Sequence, residues 1–127
     1  MQLSKRQLII LLLLVMALVL FFQENEPPHT ETGIASYYAN SLKGNLTSSG
    51  EIYHPDSLTA AHPTLPFGAF LKVENLENGQ TVIVKVNDRG PFEDDRIIDL
   101  SQAAFKKIAP LIQGLIEVKI LEVCPSK

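Results

Sequence analysis

The sequence predicts a mainly β domain, a small closed or nearly closed barrel, behind an N-terminal hydrophobic helix. Two observations support this prediction, and a third bears on what stabilises the fold. Five or six short β-rich segments and one short helical segment fit within about 90 residues. An Asn-Gly pair joins two of those segments, as in a β-hairpin. The chain has 1 cysteine, so no internal disulfide can form and the fold depends on packing. A β-sandwich is the alternative architecture.

The first element is an apolar run at residues 8–22, preceded by the positive charges of Lys5 and Arg6. This order is typical of an export signal with a cytoplasmic N-terminus. As a helix the run spans about 22 Å, short of the roughly 30 Å hydrocarbon core of a bilayer. No small-x-small cleavage site follows, because FFQE occupies residues 21–24. We therefore prefer an uncleaved signal anchor at residues 1–22 to a cleaved signal peptide, and expect the rest to be exported in either case.

Three segments follow this hydrophobic helix. Residues 23–32 (QENEPPHTET) are polar and acidic with a proline pair, and are predicted to form a flexible linker. Residues 33–123 are predicted to form the barrel, and residues 124–127, with the lone Cys124, a C-terminal tail. The chain has 11 Lys and Arg against 14 Asp and Glu, a net charge of −3. This balance argues against nucleic acid, which requires a basic face. We expect a monomer.

The elements of the barrel are separated by turn residues. Asn78-Gly79 between two β-rich runs indicates a hairpin, and Ser101 is placed to cap a helix that Pro110 ends. The predicted elements are a strand at 34–39, a loop at 40–50, a short extended piece at 57–62, strands at 69–76, 80–86 and 96–100, a helix from 101 to about 108, and a last strand at 115–123.

Asp88 is the first candidate for chemistry. Alternate valines of the strand at 80–86 share one face, and period two places Asp88 on that apolar face if the strand stays regular. A carboxyl partly removed from water has a raised pKa and holds a proton near neutrality, as an acid for glycosidic cleavage must. Arg89 then projects to the opposite face. The alternative is an Asx-turn in which Asp88 bonds the backbone of Gly90.

Other candidate chemistries find less support in the sequence. Glu51 alone is typical of a solvated loop acid, and His62, before Pro63, of a hydrogen-bonded loop residue. With His54 and Asp88 they show no HExxH or CxxC spacing, so we predict no metal and no cofactor. No GxSxG elbow or glycine-rich phosphate loop is present.

The adjacent Tyr37 and Tyr38 differ in their expected environment. Since side chains alternate along a strand, one of the pair faces away from the core. An exposed tyrosine offers a flat apolar face to a sugar ring, although packing within the sheet is an equal alternative.

Taken together, five stretches resemble the rare lipoprotein A-like family, whose domain is a six-stranded double-psi β-barrel. They come in the family's order and with its spacing: GIASYYA (33–39), TSSGE (47–51), LTAAHPTLPFGA (58–69), VKVNDRGPF (84–92) and RIIDLSQAAF (96–105). The resemblance implies a lytic transglycosylase of the cell envelope. Such an enzyme cuts peptidoglycan between N-acetylmuramic acid and N-acetylglucosamine, leaves 1,6-anhydro ends, and prefers strands stripped of stem peptides.

The resemblance also implies roles for individual residues. Asp88 is expected to act as general acid and then, as base, to take the proton from the C6 hydroxyl that attacks C1. Glu51 is expected to stabilise the oxocarbenium-like centre or to share the acid role, and spacing does not decide which carboxyl is the acid. His62 is expected to bond one of these two carboxyls. Tyr37, Tyr38 and Arg89 are the expected substrate-binding residues.

The sequence departs from the family pattern in ways that bear on function. No cysteine precedes Cys124, so we expect no lipid anchor but a protein secreted or held in the inner membrane by its N-terminal segment. The family usually has Trp at the position of Tyr37 and Gly at that of Ala39. Two alternatives therefore remain: a non-catalytic, expansin-like module that binds or loosens glycan, and a secreted hydrolase that uses Glu51 and Asp88 as an acid and base pair.

Overall fold

The computed structural model describes residues 2–24, 27–93 and 95–123, with only the backbone of Glu24. Helix α1 precedes a domain of six strands, a second helix and two single-turn 3-10 helices. The elements are α1 Lys5–Glu24, β1 Thr30–Tyr37, a 3-10 turn at Asn40–Leu42, β2 Thr59–Ala61, β3 Phe70–Asn75, β4 Thr81–Asp88, β5 Arg96–Leu100, α2 Gln102–Ile108, a 3-10 turn at Leu111–Gln113, and β6 Ile116–Val123.

The six strands form a closed barrel in the order β1-β5-β2-β4-β3-β6. The pairs β1–β5 and β2–β4 are parallel and the other four pairs are antiparallel. The closed six-stranded barrel predicted from the sequence is confirmed, and the sandwich alternative is excluded. Among the described strands, closure leaves no edge strand for pairing with another chain.

The core forms where alternating apolar residues of the strands meet one face of α2. The predicted β3–β4 hairpin is confirmed, with Gly79 at φ +73° in its turn. Ser101 caps α2 as predicted, since its hydroxyl accepts a hydrogen bond from the Ala104 amide at 3.3 Å. The largest fully buried apolar side chains are Phe105, Leu71, Ile98, Leu100, Ile108, Ile120, Val73, Val84, Val86 and Val118.

Strand β1 begins earlier than its composition predicts. It was expected at residues 34–39, but it starts at Thr30 and takes in the last residues of the predicted linker. The cause is antiparallel pairing with β6, which joins Thr30 to Leu121 and Ala35 to Ile116. Polar residues 30–32 are therefore part of the barrel wall.

Helix α1 is longer than the apolar run that predicts it. Its 20 residues extend about 30 Å at 1.5 Å per residue, which matches the hydrocarbon core and corrects the shorter estimate. Lys5–Gln23 is long and apolar enough to cross a membrane, with a mean hydropathy of 2.3 and 0% burial. A signal sequence near the N-terminus has the same properties. The predicted tail at 124–127, including Cys124, lies outside the described residues.

Gly33→Ala is expected to destabilise the barrel by about 1–3 kcal/mol, the usual cost of overpacking. A Cβ at Gly33 in β1 would lie 2.6 Å from Cγ2 of Ile97 in the neighbouring strand β5. Urea denaturation measures the effect. Adding Ile97→Ala should bring the cost of Gly33→Ala close to zero, and an unchanged cost in that background would contradict the steric explanation.

Candidate active site

A β-bulge in β4 sets the direction of the Asp88 side chain. Val86 pairs with Ala60, but the next residue of β2, Ala61, pairs with Asp88 rather than Asn87. The extra residue on β4 interrupts the period-two alternation. Because Val86 and Ala60 both point into the core, the following pair, Ala61 and Asp88, points to the outer face. The prediction that Asp88 continues the valine face is therefore wrong.

The Asp88 carboxylate is held by three hydrogen bonds. Its Oδ1 accepts hydrogen bonds from two backbone amides, that of Ser48 at 2.8 Å and that of the next residue, Arg89, at 2.9 Å. Its Oδ2 accepts the phenolic O–H of Tyr38. The local partner of the carboxylate is the amide of Arg89 and not that of Gly90. The Asx-turn considered as the alternative therefore does not form. All three bonds favour the ionised carboxylate.

The pKa of Asp88 is lowered, not raised as the sequence analysis expected. Partial burial by itself raises this pKa, but the hydrogen bonds from Tyr38, Ser48 and Arg89 together outweigh burial and leave the pKa below its ordinary value. Burial, and next the bond to Asp88, raises the pKa of Tyr38. Asp88 is thus an ionised acceptor in the resting site.

The loop that carries Glu51 lies against the outer side of β4. It is a tight turn in which the amide and hydroxyl of Thr47 both donate to the Glu51 carbonyl, at 2.8 and 2.7 Å. The Ser49 amide donates to the Asn87 carbonyl at 3.2 Å, which fastens the loop to the bulge. Glu51 is exposed, and one carboxylate oxygen lies 2.9 Å from Nζ of Lys85. Glu51 and Asp88 are thus brought to the same face of β4.

His62 is directed away from both of these carboxyls. Its side chain is 3% exposed, and its Nδ1 accepts the amides of Thr64 and Leu65 at 3.2 and 3.1 Å. Since Nδ1 accepts, the ring proton is on Nε2, which donates to Glu31 at 3.1 Å. The side-chain hydrogen bond expected between His62 and Glu51 or Asp88 is therefore replaced by one to Glu31. The link from His62 to Asp88 is a backbone bond, N–H to carbonyl, of 3.1 Å.

His29, Glu31 and His62 are the group of potential metal ligands within the described ranges, with ligand atoms within 4.8 Å of one another. A metal-bound histidine normally donates its second ring N–H to an acceptor. At His62 that second nitrogen instead faces two N–H donors, so in a neutral ring bound through Nε2 the proton on Nδ1 would meet the amides of Thr64 and Leu65. The donor set does not fit a metal. Burial raises the pKa of Glu31, but hydrogen bonds to His29 and His62 lower it further, to a net value below the ordinary one.

The two predicted tyrosines both take part in internal contacts. The ring of Tyr37 packs on Phe105 with centroids 4.8 Å apart, and its hydroxyl donates to the Leu111 carbonyl at 3.0 Å. Tyr38 stacks on Tyr53 at 4.5 Å. Tyr37 is thus directed to the core, whereas Tyr38 reaches the candidate site through its hydroxyl.

Arg89 shapes the loop beside Asp88. Its guanidinium donates to the carbonyls of His62 and Leu65, at 3.2 and 2.8 Å, and lies 4.1 Å above the Phe67 ring. Arg89 therefore turns toward residues 62–67, while the Asp88 carboxylate turns toward Tyr38 and Ser48. Gly90, at φ +116°, adopts a backbone conformation that favours glycine.

Sequence reasoning missed two residues that contact the site carboxylates, and an exposed phenylalanine four residues after Asp88. Ser48 and Lys85 hold the carboxylates, and neither has a local signal because both act across the barrel surface. Phe92 is 81% exposed, and its ring lies 3.8 Å from where a Cβ at Gly90 would be. A large apolar side chain exposed next to a candidate acid is the signal that would have identified it.

Comparison with known proteins places the chain in a family. Residues 30–120 match the double-psi β-barrel family model described as lytic transglycolase. The chain belongs to this lytic transglycolase family. The predicted fold and the resemblance to rare lipoprotein A-like proteins are thereby confirmed.

Curated relatives support the same family assignment. The endolytic peptidoglycan transglycosylase RlpA of Vibrio cholerae is 52% identical over 97 residues, which cover 76% of this chain and 37% of that protein. The RlpA of Neisseria meningitidis is 48% identical over 98 residues, covering 77% and 41%. The chain thus spans about two fifths of the length of these relatives, and the similarity concerns the barrel.

Two solved structures share the fold. The Streptomyces papain inhibitor aligns with a TM-score of 0.62 at 33% identity, covering 76% of this chain and 96% of the inhibitor. A mutant Clavibacter michiganensis expansin in complex with cellohexaose aligns with a TM-score of 0.63 at 22% identity, covering 78% and 53%. At that identity the expansin supports the fold alone.

Proposed function

We propose that this barrel is an exported peptidoglycan lytic transglycosylase of the cell envelope. The observation that carries the proposal is the pair of carboxylates, Asp88 and Glu51, on one outer face of a lytic transglycolase barrel. The substrate is the bond between N-acetylmuramic acid and N-acetylglucosamine, and the product end is 1,6-anhydro-N-acetylmuramic acid. Helix α1 acts as the export signal and keeps the domain at the membrane if it is not cleaved. The domain works as a monomer and needs no cofactor.

In the proposed reaction Asp88 is the base. Its three hydrogen bonds favour the carboxylate, so in the resting site it is an acceptor for a proton. It takes the proton of the C6 hydroxyl of N-acetylmuramic acid as that oxygen attacks C1. This assignment replaces the acid-first role expected from the sequence, and it leaves the acid to the second carboxyl.

Glu51 is the proposed acid. It is half exposed beside Lys85, so it exchanges protons with solvent, and it is the second carboxyl on the face that carries Asp88. Its proton goes to the glycosidic oxygen as the C1–O bond breaks, while the C6–O–C1 bond forms. One proton leaves Glu51 and one arrives at Asp88, so no water is consumed. Exchange with solvent restores both groups.

The pH profile distinguishes this assignment from a protonated Asp88. With Asp88 as base and its pKa lowered, the fall in kcat/KM caused by protonation of Asp88 should come only below about pH 4, near the ordinary aspartate value. The same shift implies that the stability Asp88 contributes is present above its unfolded-state pKa and is lost as the pH falls through the lower folded-state value. Initial rates on glycan strands between pH 3 and 8 test this. An acid limb centred near pH 6 would mean that the pKa is raised in the working enzyme.

Phe92 is proposed to support a sugar ring beside Asp88. Both predicted tyrosine rings pack internally, whereas Phe92 is 81% exposed. Phe92→Ala should raise KM by roughly 2- to 10-fold, as expected for loss of about 0.5–1.5 kcal/mol of aromatic contact, and Phe92→Tyr should restore it. Ile112→Ala is the matched control, since Ile112 is 95% exposed on the 3-10 turn Leu111–Gln113. Equal KM values for Phe92→Ala and wild type would remove Phe92 from the site.

The proposed function is tested by incubating the full-length chain in detergent with intact sacculi and with peptide-stripped strands. We expect both substrates to be cleaved, and stripped strands to be cleaved faster. The difference in rate tests the preference that the family resemblance implies. Retention on the strands without any fragments would favour the expansin-like alternative. Fragments with reducing ends would indicate the hydrolase.

A further inference from the structure

Glu31 occupies a position that the proposed reaction does not use. It lies in β1, in a segment whose composition predicts a linker. A linker side chain would be fully exposed, but that of Glu31 is only 33% exposed. One oxygen, Oε2, is shared by Nε2 of His29 at 3.0 Å and Nε2 of His62 at 3.1 Å. Of these two rings, that of His62 is buried and that of His29 is partly exposed, at 38%.

The carboxylate of Glu31 requires the same tautomer of His62 as the two amides that donate to Nδ1. A carboxylate accepts and cannot donate, so it requires N–H at Nε2. Neutral His62 then has a lone pair at Nδ1, which accepts the amides of Thr64 and Leu65. If Nδ1 carried the proton instead, it would face two N–H donors, and both amide bonds would be lost.

Those two amide bonds shape the loop that holds Arg89. With Nδ1 of His62 as acceptor, residues 62–65 form a turn. In this turn the carbonyls of His62 and Leu65 both accept hydrogen bonds from the Arg89 guanidinium. The Arg89 amide in turn donates to Asp88 Oδ1 at 2.9 Å. A continuous series of hydrogen bonds thus runs from Glu31 through His62 and the turn to the proposed base.

We propose that Glu31 is a positioning residue for Asp88, acting by fixing the Nε2–H tautomer of His62 and thereby the turn that holds Arg89. This inference rests on the proposed function for its effect on turnover, but its structural part stands without it. Glu31 touches neither of the two carboxyls of the proposed reaction. Its loss should therefore lower kcat and leave KM little changed.

Three variants of the full-length chain in detergent test the proposal. Glu31→Val removes the acceptor but keeps a side chain suited to a strand. Glu31→Gln keeps a carbonyl oxygen as acceptor for His62. His29→Gln removes the other histidine and leaves the bond from Glu31 to His62 intact. The ring-nitrogen chemical shifts of His62 and the amide signals of Thr64, Leu65 and Arg89 are recorded by NMR, together with kcat and KM.

The expected result is a change confined to Glu31→Val. It should lose the Nε2–H signature of His62, shift the three amide signals, and lower kcat by between about 10- and 100-fold, as a small displacement of a catalytic group does. Glu31→Gln and His29→Gln should keep the tautomer and most of kcat. An unchanged tautomer in Glu31→Val, or loss of all barrel signals in it, would overturn the proposal. If wild type cleaves no glycan, the proposed function fails, while the NMR comparison still decides the role of Glu31.

Discussion

Asp88→Asn is expected to lower the cleavage rate by about 10²- to 10⁴-fold, the usual contribution of a positioned base. The amide oxygen still accepts the Ser48 and Arg89 amides, and the amide nitrogen that replaces Oδ2 donates to the Tyr38 hydroxyl oxygen, so the local geometry is retained. What is lost is the ability to take a proton from the C6 hydroxyl. Release of soluble glycan fragments measures the rate, and a melting curve close to that of wild type shows that the fold is intact.

Asp56→Asn is the control for the change of charge. It removes one carboxylate from an exposed loop residue, so it alters the net charge as Asp88→Asn does without touching the site. We expect wild-type rates from it. Activity of Asp88→Asn within a few-fold of this control would exclude Asp88 as the base.

Glu51→Gln is expected to reduce cleavage of natural strands by at least about 10²-fold, because the leaving oxygen of N-acetylglucosamine is a poor leaving group without a proton. The effect should depend on the substrate. On an aryl glycoside of N-acetylmuramic acid, the phenolate leaves without protonation, and Glu51→Gln should recover most of the wild-type rate. Asp88→Asn should remain slow on both substrates, because the C6 hydroxyl needs a base in each.

Two further variants control for charge at Glu51. Glu117→Gln neutralises an exposed acid on β6 and should leave both rates unchanged. Lys85→Met removes the 2.9 Å partner of Glu51 and should change the rate on natural strands more than on the aryl glycoside. Equal losses for Glu51→Gln on the two substrates would assign Glu51 to charge stabilisation rather than to proton donation.

The fold was predictable because its signals are local. Alternation in β4, Asn78-Gly79 in the hairpin and Ser101 at the start of α2 each act within a few residues, and the structure confirms them. The start of β1 was not predictable in this way. Polar residues from Thr30 onward become a strand only because β6, far along the chain, supplies their hydrogen-bond partners.

The candidate site was predictable in its residue types but not in its geometry. Period two placed Asp88 inside, whereas a register shift between β2 and β4 turns it outward, and that shift depends on residues far apart in sequence. The lowered pKa of Asp88 has the same non-local origin, since Tyr38 and Ser48 reach it across the surface. His62 and Glu31 belong together only in the folded barrel.

Cleavage of glycan by Asp88 and Glu51 without water is tested by the end groups of the products. Full-length chain is incubated with peptide-stripped strands in H₂¹⁸O, and the fragments are analysed by mass spectrometry beside Asp88→Asn and Glu51→Gln. We expect 1,6-anhydro-N-acetylmuramic acid ends that are free of ¹⁸O and that are nearly or wholly absent in both variants. Reducing ends that carry ¹⁸O, or anhydro ends that persist in Asp88→Asn, would exclude this reaction.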